Sequence, residues 1–292
     1  MPVTLVVGAS GFVGAYLVRE LENAGHCVLQ ANFPEFDLRN GPAVETAVQK
    51  ASPDFVVNLA AVSSVGESWK DPEKTVDVNV KGALHLLDAV QKFAPRAKTL
   101  LVGSAEEYAP KNSPLVETDS LEASNPYGIS KIAQENFAAL YRKKYGMNIV
   151  CTRSFNHTGV GQSPTFALPS FCRQVAEIDR RGLSGKIFVG NLEAVRDFSD
   201  VEDVVHVYRM LLENENAFSV YNVGSGIAHS MEELLKEIVG FAKVPVEIVR
   251  DPAKMRPIDL PYLCADNFRI RKFWRGTPIH ETIRKMFEFY RN

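Results

Sequence analysis

VTLVVGASGFVG, residues 3–14, decides the fold. Val3 to Val7 form an apolar run short enough for a strand buried on both faces. Gly8, Gly11 and Gly14 follow at intervals of three, and Phe12 to Ala24 then carries helical periodicity and closes on Gly25. A glycine turn between strand and helix lets the backbone approach a ligand and aims free N–H groups at it from the helix N-terminus. Pyrophosphate is the anion such a turn suits best. The spacing alone is a weak signal; its place at a first strand-to-helix turn strengthens it.

The alternation continues along the chain. Strands are expected at Cys27–Ala31, Phe55–Leu59, Thr99–Val102 and Ile149–Arg153, and helices at Gly41–Ala51, Pro72–Phe93 and Pro126–Tyr145. DFVVNLAA and KTLLVGS are near-continuous apolar strands, which fits a parallel sheet covered on both faces. Beyond Arg153 the pattern loosens. Helices are expected over Pro169–Arg181 and Val201–Glu213, and over Ser230–Ala242, where Glu233 completes a capping box. Strands are expected at Lys186–Val189 and Ser219–Val223. The fold class is α/β: a Rossmann-type doubly wound parallel sheet, with a smaller C-terminal α/β portion woven into it.

Composition narrows the function. Of 292 residues, 33 are Lys or Arg and 35 are Asp or Glu, a net charge of −2 that gives no reason to expect nucleic acid or an anionic membrane as partner. No apolar stretch is long enough for a membrane span, and MPVTLVVGAS lacks the basic start of a signal peptide. Cys27, Cys151, Cys172 and Cys264 make no CxxC pair or zinc spacing, so reduced thiols in a cytoplasmic protein and no metal site are expected.

Tyr127-Gly-Ile-Ser-Lys131 places a phenol and an ammonium one helical turn apart. A neighbouring cation stabilises phenolate, so Lys131 is expected to lower the Tyr127 pKa and fit it for proton transfer. Ser104 ends an apolar strand, where ligands of open α/β sheets bind. Asn58-Leu-Ala-Ala61 ends another strand in small residues, and Asn79 lies within the long helix expected over 72–93. An acidic residue about twenty positions past the glycines would select NAD. Asn32 stands there instead, with no Arg or Lys directly after it, so NAD and NADP both remain open.

The glycine loop, Asn79, Ser104, Tyr127 and Lys131 occur in the order found in extended short-chain dehydrogenases/reductases of the nucleotide-sugar branch. LAAVSSVGESW (59–69), GSAEEY (103–108), NPYGISK (125–131), RSFNHTGVGQSP (153–164), VGNLEAVRDFSDVEDVV (189–205), VYNVGSG (220–226) and MRPIDLP (255–261) sharpen the match. The chain resembles GDP-mannose 4,6-dehydratases over nearly its whole length, and is more similar still to GDP-4-keto-6-deoxy-D-mannose reductases. That resemblance implies a cofactor-binding part at 1–157 with a return segment at about 192–223. It implies a nucleotide-sugar-binding part at 158–191 and 224–292.

The resemblance also implies roles. Hydride would pass between nicotinamide and the sugar C4, with Tyr127 as proton donor, Lys131 tuning it and Ser104 bonding the same oxygen. Cofactor contacts would come from Gly8, Ser10, Gly11, Phe12, Val13, Gly14, Asn32, Asp37, Leu38, Leu59, Ala60, Ala61, Asn79 and Phe155, besides Tyr127 and Lys131. Substrate contacts would come from Ser63, Asn156, Arg173, Lys186, Val189, Asn191, Arg196, Arg256 and Asp259, besides Ser104, Glu106 and Tyr127. Converging guanidinium groups at Arg196 and Arg256 suit a diphosphate. Glu107 and Tyr108 are expected to pack or face the substrate.

Glu106 occupies the position where dehydratases carry the base that removes the C5 proton. GDP-mannose dehydration and 4-epimerisation therefore stand as alternatives to reduction, with an NAD(P)-sensing regulator as the non-enzyme alternative. Family resemblance also implies a homodimer through a four-helix bundle, with Leu84, Leu87 and Val90 as candidates for its apolar face, although burial against their own sheet fits their spacing equally.

Overall fold

The computed structural model describes residues 1–215, 217–254 and 260–292. Chain order runs β1 (Val3–Val7), α1 (Phe12–Asn23), β2 (Cys27–Ala31), α2 (Gly41–Ala51), β3 (Phe55–Asn58), α3 (Val65–Lys70), α4 (Pro72–Val76), α5 (Gly82–Phe93) and β4 (Lys98–Ser104). It continues with α6 (Pro126–Tyr145), β5 (Ile149–Ser154), β6 (Asn156–Thr158), α7 (Ala167–Arg181), β7 (Gly185–Val189), β8 (Val195–Asp200), α8 (Val201–Glu213) and β9 (Val220–Val223). The last elements are β10 (Ala228–Ser230), α9 (Met231–Gly240), β11 (Val246–Arg250), β12 (Tyr262–Leu263) and α10 (Ile279–Arg291).

Six parallel strands form the main sheet in the order β2-β1-β3-β4-β5-β9. The chain leaves β1 toward β2 and then crosses back to β3, so the strand order reverses between β1 and β3. Ligands bind at such a switch point, outside the carboxyl ends of the strands. One face of the sheet packs on α2, α5 and α6 through Val44, Val48, Leu86, Leu87, Val90 and Ala138. The other packs on α1 and α8 through Leu17, Leu21, Val204, Tyr208 and Leu211. The Rossmann-type architecture expected from residues 3–14 is the one observed.

A second core joins α7, α9 and α10 to β7 and β8 through Phe171, Val175, Ile187, Leu235, Phe198 and Ile283. Leu192, Ala194 and Phe198 belong to this core, and β8 pairs with β6, β10 and β12 rather than with the main sheet. The return to the main sheet thus begins at Val201, not at 192. Asp197 ties this region together. Its buried carboxylate accepts from the N–H groups of Ser225, Gly226 and Ala265 at 2.9, 2.9 and 3.2 Å.

Capping residues set several boundaries. Ser230 and Glu233 form the expected capping box, at 3.1 and 3.0 Å. Asn125 caps α6 ahead of Pro126, and Gly146 closes it with φ +67°. The helix expected over 72–93 runs throughout that span, with α4 and α5 joined by a π-helical turn, Asp77–Lys81. The wider turn carries Asn79 inward, and its apolar periodicity hides it from sequence reading. Leu87 and Val90 lie fully buried against their own sheet and supply no outer face, while Leu84 is partly buried. Among the described residues no helix is long and apolar enough to cross a membrane. Cys151, Cys172 and Cys264 are buried free thiols, and Cys27 is a partly exposed one.

α10 is fastened to the start of α8 by buried polar bonds: Thr282 Oγ1 donates to Asp200 Oδ2 at 2.6 Å, and Thr277 donates twice to Asp203. Thr282→Val removes one donor from a buried carboxylate. It should lower unfolding stability by about 1–3 kcal/mol, read as a lower urea midpoint at unchanged m.

Candidate active site

The glycine turn sits at the switch point. Gly8 has φ +83°, the left-handed region that favours glycine, and a Cβ there would stand 2.9 Å from the Ala60 nitrogen. The end of β1 and the turn after β3 thus touch backbone to backbone. The Ala60 turn is shaped by Asn58, whose Oδ1 accepts from the Ala60 N–H at 3.2 Å. Gly11 caps α1 without a side-chain hydrogen bond, so the first-turn N–H groups face the crevice. Ser10 and Gly11 are exposed, Phe12 and Val13 partly so, and Gly14 is buried.

Asn32 fastens this loop from the end of β2, accepting from the Ser10 N–H at 2.7 Å. Its Nδ2 carries the hydrogens that could meet a ribose hydroxyl. Asp37 is gripped by Arg39 at 2.6–3.0 Å, which holds its carboxyl below the usual range. Leu38 is buried, and its carbonyl bonds His85 Nδ1 at 2.8 Å. Leu59, Ala60 and Ala61 are partly exposed beside the glycine turn, and Ser63 is exposed.

Asn79 is fully engaged by protein: Oδ1 accepts from the Val62 N–H at 2.8 Å, and Nδ2 donates to the Val62 carbonyl at 3.2 Å and to Ser130 Oγ at 2.9 Å. It therefore braces the 61–63 loop against α6. Phe155 packs its side chain into the core around Tyr108, Leu115 and Leu263.

α6 carries Tyr127 and Lys131, and its first turn is fitted onto the turn Ala105–Glu107. A Cβ on Gly128 would fall 2.3 Å from the Glu106 carbonyl oxygen. Asn125 Oδ1 accepts from the Gly128 N–H, and Asn125 Nδ2 donates to Glu106 Oε2, both at 2.9 Å. The Tyr127 N–H donates to Ser68 Oγ at 3.2 Å. Ser104 opens the turn as a capping box, its Oγ accepting from the Glu106 N–H at 3.2 Å and its N–H donating to Glu107 Oε1 at 2.7 Å. Ser104 also stands close enough to Tyr127 to oppose the rise of its pKa, so strand end and helix converge.

Lys131 is buried with its ammonium 2.7 Å from the Val102 carbonyl and 3.3 Å from Gln134 Oε1. Burial pulls it down to about 8. Burial likewise pushes Tyr127 above the usual tyrosine range; Ser104 opposes that, and Glu107 and Glu106 reinforce it. The expected lowering of Tyr127 by Lys131 is therefore not found. Burial outweighs the ammonium, which stands 6.0 Å from the centre of the Tyr127 ring and bonds carbonyl and amide oxygens.

The substrate candidates scatter. Asn156 is exposed on β6, while Arg196 is buried on β8 with Nη1 donating to the Val195 carbonyl at 2.8 Å. Val189 points into the second core and offers no side chain to a ligand. Lys186 pairs with Glu247 at 3.0 Å on the surface, and Arg173 lies 3.8 Å from Glu177, one helical turn on. Asn191 Oδ1 accepts from the Glu193 N–H at 2.9 Å. Arg256 and Asp259 lie outside the described residues. Glu107 and Tyr108 are buried rather than turned to a substrate, Tyr108 donating to Asn222 Oδ1 at 2.6 Å. Sequence reasoning missed Asn125, Gly128 and Ser68. The first had a legible signal, an N-cap residue directly before Pro126.

The family model for GDP-mannose 4,6 dehydratase matches residues 23–286. The chain belongs to that family. A GDP-6-deoxy-D-mannose reductase from Pseudomonas aeruginosa is 34% identical over 255 residues, 86% of this chain and 84% of the relative. A UDP-glucose 4-epimerase from Lacticaseibacillus casei is 30% identical over 319 residues of alignment, 97% of this chain and 94% of the relative. The structure of RMD from Pseudomonas aeruginosa complexed with NADPH has a TM-score of 0.89 at 29% identity, covering 100% of this chain and 99% of that one. The resemblance drawn from the motifs agrees with these findings.

Gly128→Ala should push α6 off the 105–107 turn. We expect a loss of about 1–3 kcal/mol in stability with a drop in kcat larger than any rise in KM, measured by urea unfolding and steady-state kinetics.

Proposed function

We propose that the chain is an NAD(P)H-dependent reductase of the C4 keto group of a GDP-linked 4-keto-6-deoxyhexose. The observation that carries the reading is the convergence of Ser104, Tyr127 and Lys131 at the carboxyl end of β4 in a chain 34% identical to a GDP-6-deoxy-D-mannose reductase. A nicotinamide dinucleotide fits this crevice. Gly8 and Gly14 let the turn pack tightly against the Ala60 backbone and its own first residues, and the first-turn N–H groups of α1 suit its pyrophosphate. The NADPH in the Pseudomonas aeruginosa neighbour supports the same cofactor class. When bound, the nicotinamide supplies the hydride.

The chain's own groups do the rest. Ser104 Oγ and the Tyr127 hydroxyl hold the carbonyl oxygen, so negative charge developing there meets two donors already in place. Tyr127 passes its proton to that oxygen as the C–O bond becomes an alkoxide. A phenol held above its usual pKa keeps its proton until an alkoxide, a stronger base, demands it. Lys131 places a buried positive charge behind Tyr127, which stabilises the phenolate left after transfer. Asn156 and Arg196 stand on the substrate side in this reading.

We further propose a homodimer and a cytoplasmic setting, the latter supported by free thiols. Val76 on α4 and Ile129 and Leu140 on α6 are exposed apolar residues at 49%, 57% and 58%. Ile129 and Leu140 lie on one face of α6, which suits helix pairing with a second copy. Leu140→Glu should convert a dimer to a monomer in sedimentation equilibrium.

The reaction is tested by loss of NADPH or NADH absorbance with GDP-4-keto-6-deoxy-D-mannose, with product NMR assigning C4. Tyr127→Phe should lower kcat by about 10²–10⁴-fold while cofactor binding persists. Water elimination from GDP-mannose, with no reduction of the keto sugar, would overturn the reading and make Glu106 the working base.

A further inference from the structure

Around Lys131 lies a buried charged group whose other three members, Glu107, Glu135 and Arg153, the reduction does not use directly. Glu107, Lys131 and Arg153 are 0%, 3% and 4% exposed, and Glu135 stands beside them on α6. Arg153 on β5 is satisfied by Glu135, in a two-point bond of 2.6 and 3.0 Å, and by the Glu117 carbonyl at 3.0 Å. Its guanidinium also lies 4.9 Å from the centre of the Tyr108 ring. Two cations and two carboxyls thus share one buried volume. Arg153 and Glu135 are matched, and Glu107 and Lys131 hold the remaining buried charges of the group without a direct contact between them.

Glu107 is held in an unusual way. Oε1 accepts from the Ser104 N–H at 2.7 Å. Oε2 is fully buried without a hydrogen-bond partner, 3.9 Å from Arg153 Nε. A buried oxygen without a donor is costly, and an apolar residue could fill the same space at lower cost. The groups around Glu107 are Glu106 on its own turn, Tyr127, Lys131 and Glu135 from α6, and Cys151 and Arg153 from β5. Of the two cations, only Lys131 lacks a carboxylate of its own.

We propose that Glu107 is a positioning residue of the active centre: its carboxylate fixes Ser104 through the backbone N–H and sets the charge of Lys131 from behind. The proposal deepens the reductase reading and rests on it. Burial drives the two groups toward their neutral forms, Glu107 up to about 8 and Lys131 down to about 8, and each opposes that drift in the other. They titrate as a coupled pair. Protonated Lys131 is the form that stabilises a phenolate, so activity is lost as pH rises through its pKa. Removing the carboxylate removes the attraction that keeps this proton on.

Glu107→Gln keeps an oxygen for the Ser104 N–H and deletes the charge. The alkaline limb of the kcat/KM profile should move to lower pH by about one unit. The Lys131 Cε resonance of ¹³C-lysine-labelled protein, assigned with Lys131→Arg, should move with it. An unmoved limb and resonance overturn the proposal, as does a uniform loss of kcat at every pH. Glu107→Asp keeps the charge and loses the reach to Ser104. It should cut kcat by about tenfold, on the scale of a displaced catalytic group, and leave the resonance near its wild-type position. A shift in Glu107→Asp as large as in Glu107→Gln overturns the proposal, and this variant carries the test if Glu107→Gln does not fold. The Lys131 resonance needs no substrate, so failure of the reductase reading leaves it readable.

Discussion

The contact between the first turn of α6 and the backbone of residues 105–107 is the constraint on which the site depends. Gly128 meets the Glu106 carbonyl at a distance no side chain tolerates, and Asn125 bonds both partners. That contact joins two elements of different origin. Ser104 comes from the end of a strand in the main sheet, whereas Tyr127 and Lys131 come from a helix that covers the sheet's face. Ser68 and Asn79 add further anchors, so α3, the π-helical turn and the 61–63 loop all register on the same helix. A phenol and a hydroxyl can act on one oxygen only if their backbones are held to a fraction of an ångström. Backbone contact through glycine, with no flexible side chain between, is a direct way to hold them.

The same economy appears at the switch point. Gly8 and the Ala60 turn touch without intervening side chains, and Asn32 ties the loop to β2. The connections that follow β1 and β3 run in opposite directions from this point, and the second core gathers on α7, α9 and α10. Asp197 matters to that second body. Four donors from Ser225, Gly226 and Ala265 converge on one buried carboxylate and fasten β8, β10 and the segment after β12 into one unit. The carboxylate is pushed upward by burial and held down by those donors. The substrate side of the molecule is thus organised by polar bonds as much as by its apolar core.

Legibility differed by kind of feature. Strong periodicities were readable, because α1, α6 and α8 bury apolar faces at helical spacing. The second half was poorly readable, for a reason visible in β8. VRDFSD has no apolar alternation, since its Asp197 and Asp200 are buried as hydrogen-bond acceptors rather than as core. Leu87 and Val90 could not be told from interface residues by spacing, as helix faces toward a sheet and toward a partner have the same period. Val189 and Lys186 were both expected to contact substrate, yet their strand sends one to the core and leaves the other outside. Ser104-Ala-Glu-Glu107 carries the spacing of a capping box, which the sequence shows as plainly as the one at Ser230.

The roles expected of Ser104, Tyr127 and Lys131 came from the family resemblance; by itself the sequence determined the doubly wound sheet and the glycine turn. Those features follow from local spacing and from side-chain chemistry, and both are written in the order of residues. Only the tertiary structure decided that Asn79 is a brace, that burial sets the direction in which Tyr127 shifts, and that Glu107 lies buried beside Ser104. Each of those facts depends on which distant backbone atom a polar group meets, and burial, not type, sets its proton affinity.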